Sequence, residues 1–305
     1  EYLDFIAGVS ASSLGHCHPK VISAVKNQLD KYLHVMVYGE FIQEPAVELT
    51  KLLSGLLPDN LTTTYLTNSG TEAIEGSIKL ARRATGRKEI IYAKKAYHGN
   101  TMGALSIMGV EERKEIFQPL LPDCNSIEFN NEKDILKITS KTAGVVLETI
   151  QGGAGFIVPK NNYLKKIKNR CSDVGALLIL DEIQPGFGRT GKLFGFEHYD
   201  ISPDILAIGK GMGGGMPIGA FTASKELMSL LSNNPKLGHI TTFGGHPVIA
   251  SAALATLKEI TRTNLIEETL QKENIFRKHL VHPLIKEIRG KGLMLALIVD
   301  TPEIA

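Results

Sequence analysis

The stretch Leu177-Leu-Ile-Leu-Asp-Glu-Ile-Gln184 places four apolar residues directly before two carboxylates, and Pro-Gly-Phe-Gly-Arg-Thr-Gly191 follows it. A short uninterrupted apolar run bounded by glycine and proline is the pattern of a strand buried on both faces. The run here is Ala176–Leu180, and similar runs recur at Thr63–Thr67, Glu89–Tyr92, Gly144–Leu147, Ile205–Ile208 and Ile218–Thr222. Between them, helical periodicity marks Pro19–Val35, Pro45–Leu57, Thr71–Ala84, Tyr163–Val174 and Pro247–Ile260. Apolar strands alternating with amphipathic helices predict an α/β fold, a mainly parallel sheet flanked by helices on both faces. Beyond Asn264 the pattern changes. A charged helix over Leu265–Ile288, then Arg289-Gly-Lys-Gly292 and an apolar strand-like run, predict the start of a second, smaller α+β domain.

Composition narrows the function. The 305 residues carry 34 basic and 32 acidic side chains spread along the chain, for a net charge of +2. No basic face argues for nucleic acid, so the expected partners are small molecules. No apolar run approaches the roughly 20 residues that span a bilayer, and the first ten lack the basic start of a secretion signal. Cys17, Cys124 and Cys171 are far apart and form no CxxC pair, which suits free thiols in a reducing compartment, by default the cytoplasm. The chain starts without methionine and stops just after an apolar run, so a longer parent protein is expected.

In open α/β sheets ligands bind at the carboxyl ends of strands, so three strand ends invite comparison. After Tyr65-Leu-Thr67 come Asn68-Ser-Gly-Thr-Glu-Ala73, and Ser69, Gly70 and Thr71 can present backbone N–H groups to a phosphate. An ordinary helix cap explains the same residues. Asp181 is costly at the end of an apolar strand unless a cation or strong donor meets it, and a salt bridge to Arg189 is one plain solution. Lys210, between Gly209 and Gly211, follows another apolar run. Partial desolvation favours its free amine, which forms a Schiff base with an aldehyde; a surface lysine in a flexible turn is the plain alternative. Read jointly, a phosphate cup, a carboxylate for a pyridine nitrogen and a lysine for an aldehyde are what pyridoxal 5′-phosphate requires.

Further motifs follow in order: Leu3-Asp-Phe5 with Gly15-His-Cys-His-Pro19, Tyr97-His-Gly99, Glu148 with Gln151-Gly152, Gly186-Phe-Gly-Arg-Thr-Gly191 and Thr241-Thr-Phe-Gly-Gly245. Together with the three strand ends they resemble the class III, or ω-amino acid, aminotransferases of pyridoxal-phosphate fold type I, across almost the whole chain. The resemblance implies that Lys210 and Asp181 are catalytic, and that Ser69, Gly70, Thr71, Tyr97, His98, Glu148, Gln184 and Thr242 also bind the cofactor. Tyr97 would stack on the ring, Gln184 would lie near its hydroxyl, and Thr242 would reach the phosphate of a neighbouring subunit in a homodimer. Residues 1–40 would lie near the active site and dimer interface, 41–262 would form the large cofactor-binding domain, and 263–305 would begin the C-terminal small domain. Three adjacent potential ligands, His16, Cys17 and His18, cannot all turn to one ion on a normal backbone, so no metal is expected.

The expected activity moves an amino group from an amine or ω-amino acid donor of the ornithine, acetylornithine or 4-aminobutyrate kind to a 2-oxo acid, in two half-reactions. The same fold also hosts decarboxylases, aminomutases, racemases and phospholyases. Two departures bear on substrate. Asn100 stands where family members that hold a substrate carboxylate carry arginine, and Gly153 stands where several branches carry a glutamate switch. His246 replaces the usual asparagine.

Overall fold

The computed structural model describes residues 2–36 and 39–300. Seven strands form the central sheet: β1 (Thr63–Thr67), β2 (Glu89–Ala93), β3 (Cys124–Ile127), β4 (Thr142–Glu148), β5 (Leu177–Asp181), β6 (Ile205–Gly209) and β7 (Gly219–Ala223). Their spatial order is β1-β7-β6-β5-β4-β2-β3. Strand β7 runs antiparallel to both β1 and β6, and the remaining pairs are parallel. Two reversals restore the direction, so β1 and β6 point the same way. The carboxyl ends of β1, β2, β4, β5 and β6 therefore share one edge.

The helices are α1 (Ala7–Ser10), α2 (Pro19–Leu29), α3 (Glu44–Leu56), α4 (Gly70–Thr85), α5 (Met102–Ser106), α6 (Tyr163–Val174), α7 (Lys225–Ser229), α8 (Pro247–Arg262) and α9 (Leu265–His279). They cover both faces of the sheet, which explains why the strands read as continuous apolar runs rather than alternating ones. Along β4 and β5, Val145, Leu147, Leu178 and Leu180 face one core with Leu49, Leu53 and Ile167. Their neighbours Val146 and Ile179 face the other, with Ile74, Ile78 and Phe221. Helix α4 lies so close to β7 that a Cβ at Gly76 would sit 2.3 Å from the Phe221 ring, so only glycine permits this crossing.

The structure corrects two expectations and adds one strand. The helix expected over Pro19–Val35 stops at Leu29, where the buried Gln28 donates from Nε2 to the Tyr32 carbonyl at 3.0 Å and turns the chain away. The helix expected over Leu265–Ile288 stops at His279. Pro283 cannot continue it, and β8 (Ile285–Lys291) pairs antiparallel with β9 (Met294–Val299) instead. Finally, no apolar run in the sequence predicts β3. Among the described residues it lies at the sheet edge, pairs only with β2 and carries the mixed sequence Cys-Asn-Ser-Ile.

Candidate active site

Register places two carboxylates side by side, because Glu148 at the end of β4 pairs with Asp181 at the end of β5. Both are buried, 4% and 3% exposed, at a depth where like charges need partners. Asp181 finds two. Its Oδ2 accepts from His98 Nδ1 at 2.7 Å, and its Oδ1 accepts from the Ile183 N–H at 3.0 Å. The side chain that meets Asp181 is therefore His98, not the Arg189 that the sequence offered. Burial works against a charged His98, but the hydrogen bond and charge of Asp181, with the charge of Glu148, outweigh it and raise the imidazole above its ordinary pKa. Its second nitrogen, Nε2, is buried without a hydrogen-bond partner.

Glu148 accepts from the Gly152 N–H at 2.9 Å and from the Tyr97 N–H at 3.3 Å. Burial pushes its carboxyl up to about 7, against the opposing charge of His98. It is thus no solvated loop carboxylate. Gln184 lies across from it: a Cβ at Gly152 would fall 2.0 Å from Gln184 Oε1 and 3.2 Å from Glu148 Oε1. Lys210 follows β6 at φ 43°, in the left-handed region that a side chain rarely adopts, and such strain is a feature of functional sites. Burial lowers its pKa, partly opposed by Asp181 and Glu148 and reinforced by Arg189, which enlarges the free-amine fraction.

Ser69 caps α4, with its Oγ accepting from the Glu72 N–H at 3.4 Å. That realises the ordinary cap reading, yet it leaves the hydroxyl proton and the first-turn N–H groups of Gly70 and Thr71 open to an anion. Gly70 packs under Ile183, where a Cβ would meet the Ile183 side chain at 2.8 Å, so the head of α4 is drawn toward the loop after β5.

One cavity of about 300 Å³ is lined by Gly70, Thr71, Tyr97, His98, Gly99, Asn100, Glu148, Asp181, Gln184 and Lys210 among others. Strand ends that are distant in sequence thus meet round a single space. Ser69 adjoins Gly70 of that lining, and Thr242 is not part of it. Thr241 and Gly244 line a larger groove of about 830 Å³ beside α3. Among the described residues, Lys225 and Lys236 line that groove without an acid, whereas the smaller cavity joins two acids and a lysine. The N-terminal segment reaches the same region, with Gln184 Nε2 donating to Ser10 Oγ at 3.4 Å and Arg189 donating to Ser13 Oγ at 3.3 Å.

Sequence reasoning passed over Glu182. Fully buried, it accepts from Thr149 Oγ1 at 2.5 Å and from the N–H groups of Gly195 and Phe196 at 2.7 and 2.8 Å. Burial raises it to about 7. It ties the loop after β5 to the next turn of chain and so holds its neighbour Asp181. The only signal was a second acid directly after the first.

Residues 1–304 match the family described as class III aminotransferases. This chain belongs to that family. The class III aminotransferase is 38% identical to the acetylornithine aminotransferase of Methanopyrus kandleri over 306 residues, 99% of this chain and 77% of that protein. It is 41% identical to the putrescine aminotransferase of Pectobacterium atrosepticum, over 97% of this chain and 66% of that one. Its fold superposes on the ornithine aminotransferase of Toxoplasma gondii with a TM-score of 0.90 at 32% identity, covering 98% of this chain and 72% of the other; that crystal holds pyridoxal phosphate at partial occupancy. The class III aminotransferase is accordingly a pyridoxal-phosphate-dependent enzyme that acts on an amino donor and a 2-oxo acid.

The cavity fits that cofactor on its own chemistry. It offers one amine of lowered pKa, a buried carboxylate with a histidine behind it, and a helix head with free donors, the three kinds of group that an aldehyde, a pyridine nitrogen and a phosphate need. Among the described residues no three His, Cys, Asp or Glu side chains gather as metal ligands.

Proposed function

We propose that this cavity is the active site, with Lys210 as the point of covalent attachment and the proton carrier, and Asp181 as the partner of the pyridine nitrogen. The observation that carries the reading is that Lys210, Asp181 and the head of α4 border one space. When bound, pyridoxal phosphate supplies an electron sink for the pair left by a bond broken at the substrate's amine-bearing carbon. The protein does the rest. Asp181, backed by His98, keeps a negative charge facing the ring nitrogen and so favours its protonated form. Ser69 Oγ and the N–H groups of Gly70 and Thr71 hold the phosphate. Tyr97, 41% exposed at the cavity wall, covers one ring face, and Glu148 and Gln184 line the same cavity. Lys210 Nζ, whose proton affinity burial lowers, takes up a proton and returns it one position away, acting as base and then acid.

The donor in this reading is a primary amine or ω-amino acid and the acceptor a 2-oxo acid. No arginine lines the cavity among the described residues, and a Cβ at Gly153 would make only ordinary contact, 3.6 Å from the Lys95 carbonyl oxygen and 3.7 Å from Tyr97 Cβ. The donor's far end is therefore not gripped by an arginine at position 100 or switched by an acid at position 153. Thr242 belongs to the neighbouring active site of a homodimer. Phe41, Ile42 and Phe243, at 65%, 90% and 53% exposure, support a partner on that side. Residues 1–40, 41–262 and 263–305 serve as N-terminal segment, large domain and start of the small domain. Free Cys17, Cys124 and Cys171 support a cytoplasmic setting, and among the described residues no helix is long and apolar enough to cross a membrane.

The test is a screen of amines, diamines and ω-amino acids against pyruvate and 2-oxoglutarate with the purified protein and an isotopically labelled amino group. Label should appear in the amino acid formed from the acceptor, and Lys210→Ala should abolish the transfer. Release of carbon dioxide or racemised donor without labelled product would instead assign one of the sister chemistries.

A further inference from the structure

The phosphate seat and the ring-side segment arise from strands β1 and β2, which are separated by four other strands in the sheet. Something must fix their spacing. Gly99, with φ 130°, is pressed against Thr71, and a Cβ there would lie 2.2 Å from Thr71 Oγ1. Thr71 Oγ1 lies 2.7 Å from Thr101 Oγ1, and Thr101 Oγ1 donates to Glu75 Oε1 at 2.5 Å. The same Glu75 oxygen accepts from the N–H groups of Gly103 and Ala104 at 2.9 and 3.1 Å. Proton direction follows from counting donors. A hydroxyl has one proton, and the carboxylate claims the proton of Thr101. Thr71 must then donate to Thr101, and its own oxygen accepts from the Thr101 N–H at 3.3 Å.

We propose that Glu75 and Thr101 are positioning residues that lock Thr71 and thereby set the distance between the phosphate seat at the head of α4 and the ring-side segment Tyr97–Gly99. The relay refines the role of Thr71. Its hydroxyl is spent on the brace, so the phosphate is held by Ser69 Oγ and by the backbone N–H groups of Gly70 and Thr71. This rests on the assignment of Ser69–Thr71 as the phosphate seat. A ligand that spans both seats feels their spacing, whereas one that fills only the ring seat does not.

The experiment measures equilibrium binding of two probes, pyridoxamine 5′-phosphate and pyridoxamine, to wild-type protein and to Thr101→Val, Thr101→Ser and Glu75→Gln, with thermal unfolding alongside. Thr101→Val should weaken the phosphorylated probe by about tenfold, the scale of one well-placed hydrogen bond, and leave pyridoxamine within about twofold. Thr101→Ser, which keeps the hydroxyl, should restore wild-type affinity. Should Thr101→Val fail to fold, Glu75→Gln is read in its place with the same selective loss expected. Unchanged binding of the phosphorylated probe, or equal weakening of both probes, overturns the relay. A wild-type protein indifferent to the phosphate overturns the seat beneath it, which is a separate failure.

Discussion

Replacing Asp181 by asparagine separates its charge from its shape. The side chain is 3% exposed and makes two hydrogen bonds, from His98 Nδ1 at 2.7 Å and from the Ile183 N–H at 3.0 Å. In Asp181→Asn the new amide oxygen can keep the bond from Ile183. The amide NH2 then faces His98 Nδ1, which can accept if the imidazole proton moves to Nε2, the atom that has no partner in the wild type. Both contacts therefore survive a tautomer change, and the loss of stability should be only about 1 kcal/mol. Catalysis should fare worse. A charge-assisted bond to the ring nitrogen is replaced by a neutral one, a loss of about 3 kcal/mol in a buried site, or roughly a hundredfold in rate. The assay is the single half-reaction at saturating donor, followed by cofactor absorbance, with the His98 imidazole titrated by NMR. Removal of the neighbouring charge should lower the His98 pKa. A half-reaction slowed by less than about threefold, with the fold intact, would refute the assignment of Asp181.

Two further outcomes follow from the same geometry. Glu148 has its pKa raised by burial from 4.5 to about 7, so between those values the folded protein keeps a proton that the unfolded chain releases. Its contribution to stability must therefore fall as pH rises through that window and level off above it, by on the order of 3 kcal/mol. Denaturant unfolding of wild type and Glu148→Gln from pH 4 to 8 reads this as a slope present only in the wild type; parallel curves would contradict it. Gly99→Ala should destabilise by about 2 kcal/mol or more, because φ is 130° and the new methyl meets Thr71 Oγ1 at 2.2 Å. A melting temperature equal to wild type would show that the segment relaxes freely.

The strand ends were legible because buried parallel strands spell themselves as apolar runs, and a lone acid after such a run, as at Asp181, stands out. Direction is another matter. Gly219–Ala223 reads like its neighbours because both faces are covered, and nothing in the run says that β7 is reversed. Nor was the partner of Asp181 readable, since His98 lies 83 positions away and is brought in by topology. Arg189, eight residues along, looked the simpler cation, but the loop turns it toward Ser13. Glu75 and Thr101 sit in a helix and a loop with no special spacing, so a relay between them emerges only in three dimensions. The premature end of the last helix was half-visible in Pro283, masked by the charged periodicity that continues past it.

The loop that begins at Asp181 is also tied at its far end. The Arg189 carbonyl accepts from the Leu293 N–H at 2.9 Å, and Gly292 donates to Glu273 Oε2 at 2.7 Å, so the β8–β9 turn is stitched both to this loop and to α9. A Cβ at Gly292 would intrude to 2.6 Å from Thr190, leaving no slack in the joint. The hairpin and the loop that lines the cavity therefore form one bracket. A force applied to the outer strands arrives eight residues from Asp181, with Glu182 and its three donors as the stay between them.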